Sequence, residues 1–190
     1  DAGQKGTLRM DNGEIYFTKH DGLVVLKFVG QIRYTMGSSH RISASLDAFL
    51  DQLFAEKGFD NILIDLTEAE TIDSTNLGLL ARVARFSNSE LGRKATIIST
   101  NDDINTVLES VAFDRVFCLV RDLHDPKSDF ESIPAKGDDA SELSRVILDA
   151  HKTLIEICET NNEKFRKVVE ILEAQMRAKE AQRAQTPPAQ

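Results

Sequence analysis

The 190-residue chain has no tryptophan, only two cysteines and only four prolines. Two distant cysteines, Cys118 and Cys158, cannot form a disulfide framework, and no signal peptide is recognisable. A reducing cytoplasm is therefore the expected compartment. The four histidines are dispersed and show neither HExxH nor CxxC spacing. We expect no metal site and no cofactor.

Long apolar runs and an excess of positive charge are also missing. The longest purely aliphatic run is Leu23-Val24-Val25-Leu26, which is far too short to span a membrane. Lys and Arg total 23 against 31 Asp and Glu, so the net charge is -8. Without a basic stripe, binding to nucleic acid is not expected. The 41% hydrophobic content suits one globular domain with an appendage.

Composition divides the chain into five parts. Residues 1–9 are small and polar, and we interpret them as a flexible lead or a cloning remnant. Residues 10–121 form the body, and residues 122–140 are rich in acids, Pro and Gly, which is typical of a linker. Residues 141–183 are predicted to form an amphipathic helical arm. Residues 184–190 carry no large apolar side chain and are expected to be disordered.

Within the body, the spacing of apolar residues predicts a hairpin followed by alternating helices and strands. The Asp21-Gly22 pair favours a tight turn between strands at 14–18 and 23–29. Helices are expected at 39–57, 74–91 and 101–111, and strands at 61–66, 95–99 and 116–120. Such alternation implies an α/β fold with a mixed, mostly parallel sheet covered by helices.

The arm repeats apolar residues in a 4-3 rhythm that Asn161-Asn162 interrupts, at Leu143, Ile147, Ala150, Leu154, Ile157, Phe165, Val168, Leu172 and Met176. This pattern predicts one long amphipathic helix, or two joined near Asn161. We expect its first half to pack on the domain or against itself. The alternative is an exposed helix for a second protein or for a dimer. Its mixed charges argue against a membrane-surface helix.

One segment has a residue pattern that indicates a functional site. After the strand that ends near Leu66, a short acidic loop leads to Asp73-Ser74-Thr75-Asn76-Leu77-Gly78-Leu79 at the start of a helix. One interpretation is structural: Ser74 caps the helix and Asp73 favours its positive end.

This segment and the order of elements resemble the STAS domain, the fold of bacterial anti-sigma-factor antagonists. The resemblance implies a phosphorylation site at Ser74 or, alternatively, Thr75. It also implies partner switching: the unmodified protein binds an anti-sigma factor, often a serine kinase, and frees a sigma factor. Phosphorylation ends this binding, and a phosphatase restores it.

The predicted partner-binding surface is the start of this helix with its apolar flank, namely Asp73, Ser74, Thr75, Asn76, Leu79, Val83 and Phe86. The apolar arc of the helix is wider than a surface helix needs. Either Leu79, Val83 and Phe86 form a docking patch, or the sheet and neighbouring helices bury them. Asn76 stands where the family often has glycine.

Other functions fit the residues less well. A receiver domain needs an acidic pair after its first strand and a lysine after its last, and neither is present. An enzyme is not expected, because no phosphate-binding loop or nucleophile–base set is recognisable. Ser74 in particular lacks a GxSxG context and a histidine nearby in sequence. The main alternative is a STAS adaptor or scaffold subunit without a phosphoswitch.

Overall fold

The computed structural model describes residues 13–33, 40–121, 131–133 and 140–185. The predicted lead at 1–9 lies outside these residues, as does most of the predicted linker. The strands are β1 Glu14–His20, β2 Leu23–Ile32, β3 Asn61–Ile72, β4 Thr96–Ile98, β5 Cys118–Val120 and β6 Glu131–Ser132. The helices are α1 His40–Glu56, α2 Ser74–Glu90, α3 Asp102–Ser110, α4 Phe113–Val116, α5 Ala140–Ile157 and α6 Thr160–Gln185.

The six strands form one sheet in the order β5-β4-β3-β2-β1-β6. Strands β2 to β5 run parallel, and β1 is antiparallel to both of its neighbours. The α/β prediction is therefore confirmed, including the opening hairpin. Its turn places Asp21 at φ 47 and Gly22 at φ 78, the left-handed pair that a two-residue hairpin requires.

Strand β3 is longer than predicted. The stretch from Thr67 to Ile72 was expected to be a loop, but it continues to pair with β2 across two register shifts. Ala69 points into the core, while Glu68 projects outward and forms an ion pair with Lys27 at 2.6 Å. An alternating strand with acidic residues on its outer face thus looked like a loop in the sequence.

The first half of the arm is part of the domain. Val146 and Leu154 of α5 belong to the same buried cluster as residues of the sheet and of α2, which confirms the expectation that this half packs on the body. Helix α5 ends at Ile157, and buried Asn161 lies just after the start of α6. The Asn161 amide donates to the carbonyl of Val111 at 3.0 Å and of Leu154 at 2.9 Å, so the junction of the two helices is held against the domain.

Helix α6 extends to Gln185, so residues 184 and 185, which were predicted to be disordered, are helical. Its apolar residues Val168 and Ile171 are exposed. None of the helices in the described ranges combines the length and apolar composition that a membrane span requires.

Candidate functional site

The site is the junction between the end of β3 and the start of α2. Asp73 is the residue that caps α2: its backbone is extended, and its carboxylate accepts hydrogen bonds from the backbone and side-chain nitrogens of Asn76, both at 2.9 Å. The interpretation of Ser74 as the cap is therefore wrong. Since Asp73 takes the capping position, the hydroxyl of Ser74 is available for another contact.

That contact is with a histidine of the arm. Ser74 Oγ lies 3.0 Å from Nε2 of His151 in α5, and Nδ1 of the same ring lies 2.7 Å from the carbonyl oxygen of Ile147. Because a carbonyl can only accept, Nδ1 donates to it, so in the neutral form of the ring Nε2 carries no hydrogen and accepts from the Ser74 hydroxyl. His151 is buried, whereas Ser74 is partly exposed.

The pairing of a serine with a histidine is one element of nucleophilic catalysis. The sequence-based reason for excluding it, the lack of a nearby histidine, does not hold, because the fold brings His151 to Ser74. The ring is oriented by the backbone carbonyl of Ile147, whereas hydrolytic triads use a carboxylate or amide side chain at that position. The contact with His151 thus fixes the position of the Ser74 hydroxyl.

The two residues after Ser74 are buried. Thr75 is 5% exposed and Asn76 is 0% exposed. Asn76 Oδ1 accepts from Ser43 Oγ of α1 at 3.3 Å, while its amide nitrogen binds Asp73. Asn76 thus connects α1 to the cap of α2. In this conformation Thr75 and Asn76 offer little or no surface to a partner, and Ser74 is the more accessible of the two hydroxyls.

The predicted docking patch is also not an exposed surface. Leu79 and Val83 have no exposed area and belong to the hydrophobic core. Phe86 is partly buried and stacks on Phe54 of α1, with ring centroids 4.1 Å apart. For Leu79 and Val83, burial by the sheet and neighbouring helices is the correct one of the two interpretations left open by the sequence, whereas Phe86 keeps part of its surface. The reason is that α2 packs against other elements on several sides.

One of those elements is α5, which runs along the face of α2 that begins at Ser74. A Cβ atom added to Gly78 would lie 2.3 Å from the carbonyl oxygen of Ala150, so the two helix backbones touch there. Farther along, Arg85 donates to Glu156 at 2.8 Å. We call Ser74, Gly78 and Arg85 the α5-facing stripe. Spaced four and seven residues apart, they lie on one side of the helix.

A buried carboxylate binds α5 near the start of that helix, at the opposite end from Glu156. Asp47 of α1 is 4% exposed and binds Arg82 of α2 and Arg145 of α5, the latter at 3.1 Å. Burial raises the pKa of the Asp47 carboxyl, and the positive charges of the two arginines offset part of that shift. Three helices thus meet at one acidic side chain.

Comparison with known proteins identifies the family. The model of the STAS domain matches residues 14–126. The chain belongs to the STAS domain family. This confirms the resemblance seen in the sequence, and the matched span ends before α5, so His151 lies outside it.

Individual relatives of this STAS protein are distant. A Thermotoga neapolitana protein, described as a candidate anti-sigma factor antagonist and a TM1081 homologue, is 33% identical over 63 residues. That alignment covers 33% of this chain and 55% of the relative. The chain therefore spans about half the length of the curated relative it matches.

Two solved structures are similar to this STAS protein at 20% identity. The crystal structure of an anti-sigma factor antagonist from Mycobacterium paratuberculosis has a TM-score of 0.45, covering 60% of this chain and 89% of that one. The NMR structure of TM1081 has a TM-score of 0.41, covering 63% and 86%.

The role of Asp73 in the STAS domain can be tested by substitution. Asp73→Ala removes the acceptor for two Asn76 donors and should lower the free energy of unfolding by about 1 kcal/mol, the usual contribution of a helix cap. Asp73→Asn keeps an oxygen that can cap and should be nearly neutral. Urea denaturation measures both variants. Equal destabilisation by the two would show that the charge, and not the cap, is what matters.

Proposed function

We propose that this STAS protein is a bacterial, cytoplasmic anti-sigma factor antagonist that works by binding and not by catalysis. Its unphosphorylated form binds an anti-sigma factor with serine kinase activity and frees a sigma factor. Phosphorylation of Ser74 ends the binding, and a phosphatase reverses it. The observation that carries the proposal is the state of Ser74: it is the first residue of α2, partly exposed, and not used as the helix cap.

The chemistry of this position supports a switch that leaves the fold intact. A phosphate at a helix N-terminus is favoured by the free N–H groups and by the helix dipole. It also adds about -1.5 to -2 charges, beside Asp73 and close in sequence to the exposed Glu70. A protein surface packed on the start of α2 would have to desolvate this group. Phosphorylation is thus expected to block an interface without unfolding α2.

Phosphorylation can be tested directly. The full chain is incubated with ATP and a purified anti-sigma-factor kinase of the same organism, digested with trypsin and examined by tandem mass spectrometry. The peptide of residues 58–82 contains both candidate hydroxyls. We expect one phosphate, on Ser74, and none on this peptide in Ser74→Ala. A phosphate that persists on Thr75 in Ser74→Ala would assign the modification to Thr75. An unmodified wild-type peptide would argue against the switch.

One observation favours a second function, a STAS adaptor without a phosphoswitch. The hydroxyl of Ser74 already has a partner, buried His151, so the residue also has a structural role. Partner binding separates the two functions. If Ser74→Asp binds the anti-sigma factor as tightly as wild type does, the adaptor is favoured. If Ser74→Ala retains binding and Ser74→Asp loses it, the switch is favoured.

A further inference from the structure

The face of α2 that starts at the proposed phosphorylation site is covered by a segment of the same chain. Helix α5 contacts the α5-facing stripe at its start, middle and end: His151 at Ser74, Ala150 at Gly78 and Glu156 at Arg85. The matched STAS span ends at residue 126, and α5 begins at Ala140. The cover is therefore additional to the part of the chain that the family describes.

The stripe has the properties of a helix-docking surface. Gly78 allows another helix to approach to backbone contact, and Ala150 is the small residue that exploits this space. A glycine inside a helix is intrinsically unfavourable. The close approach of α5 explains why glycine nevertheless stands at position 78. At the two ends, polar contacts from Ser74 and Arg85 determine how the second helix is aligned.

We infer that the α5-facing stripe is a docking site for an amphipathic helix, that α5 is its resident occupant, and that a partner's helix competes with α5 for it, which uncovers Val146 and Leu154 of the core when α5 leaves. The matching partner helix carries a small residue where α5 has Ala150, an acid where it has Glu156 and a hydrogen-bond acceptor where it has His151. That this partner is an anti-sigma factor rests on the proposed function. The occupation of the stripe by α5 does not depend on the proposed function.

The test uses a fluorescent peptide of residues 140–157 as the probe. Its binding is measured by anisotropy to the full-length wild type, to Ala150→Leu and to Ala174→Leu. The first substitution places a large side chain against Gly78 and should release α5 from the stripe. The second makes the same change at an exposed position of α6 and serves as the matched control.

We expect the peptide to bind Ala150→Leu at least about tenfold more tightly than the other two proteins, since apparent affinity scales with the fraction of molecules in which the site is open. A peptide carrying Ala150→Leu itself should not bind. Equal binding to all three proteins would overturn the inference. So would a lack of binding to an Ala150→Leu protein in which hydrogen exchange shows that α5 is released. If Ala150→Leu does not fold, His151→Ala replaces it.

The two proposals fail separately. The peptide assay contains no kinase and no partner, so it can succeed when no phosphorylation is found. In that case the docking site stands and only the antagonist function is lost. If the peptide fails to bind while Ser74 is phosphorylated, the function stands and the resident helix is a fixed part of the domain.

Discussion

Asp47→Ala is expected to lower the free energy of unfolding by about 3 kcal/mol, at the lower end of the cost of removing one partner from a buried ion pair. Asp47 is 4% exposed, and its carboxylate binds Arg82 and Arg145. Without it, Arg82, whose side chain is 16% exposed, would remain poorly solvated and lose its buried partner. Arg145 is about half exposed and can be hydrated, which limits the loss. Because Arg145 belongs to α5, that helix should also exchange its amide hydrogens faster.

Asp51 offers a matched control. It lies one turn farther along α1 and binds the same Arg82 at 2.6 Å, but its side chain is 60% exposed. Asp51→Ala should cost less than about 1 kcal/mol, as is usual for surface ion pairs. Guanidinium denaturation of both variants gives the comparison. Similar losses in the two would show that the buried position of Asp47 adds nothing to its effect.

Gly78→Ala is expected to destabilise the protein by about 1 to 3 kcal/mol, the usual cost of overpacking. Helix propensity alone predicts the opposite sign, a gain of about 1 kcal/mol. The close approach should outweigh propensity, because the new Cβ would meet the backbone of Ala150 at 2.3 Å. Backbone cannot move aside as a flexible side chain can, so α5 has to shift away from α2.

The control for this substitution is Asn88→Ala, at an exposed position of the same helix. It raises helix propensity without meeting another element, and it should stabilise the protein by about 0.5 kcal/mol. Thermal unfolding followed by circular dichroism distinguishes the two signs. A stabilised Gly78→Ala would show that α5 does not approach α2 as closely as described.

Much of the fold could be predicted because its signals are local. The Asp21-Gly22 turn and the helical spacing at 39–57 are properties of short segments. The errors arose where local chemistry was ambiguous. Acidic residues between Thr67 and Ile72 suggested a loop, but pairing with β2 extends the strand. Asp73 and Ser74 are both good capping residues, and only the backbone geometry selects Asp73.

The sequence by itself determined the order of the main strands and helices, but not α4 or β6, together with the family and the position of Ser74 at the start of a helix, because hydrophobic periodicity and a short motif encode them. Only the tertiary structure decided that Leu79 and Val83 are buried and that His151 meets Ser74. An apolar face shows that a helix will be covered, but the covering element depends on packing between segments far apart in the chain. Ser74 and His151 are 77 residues apart, and no local pattern links them.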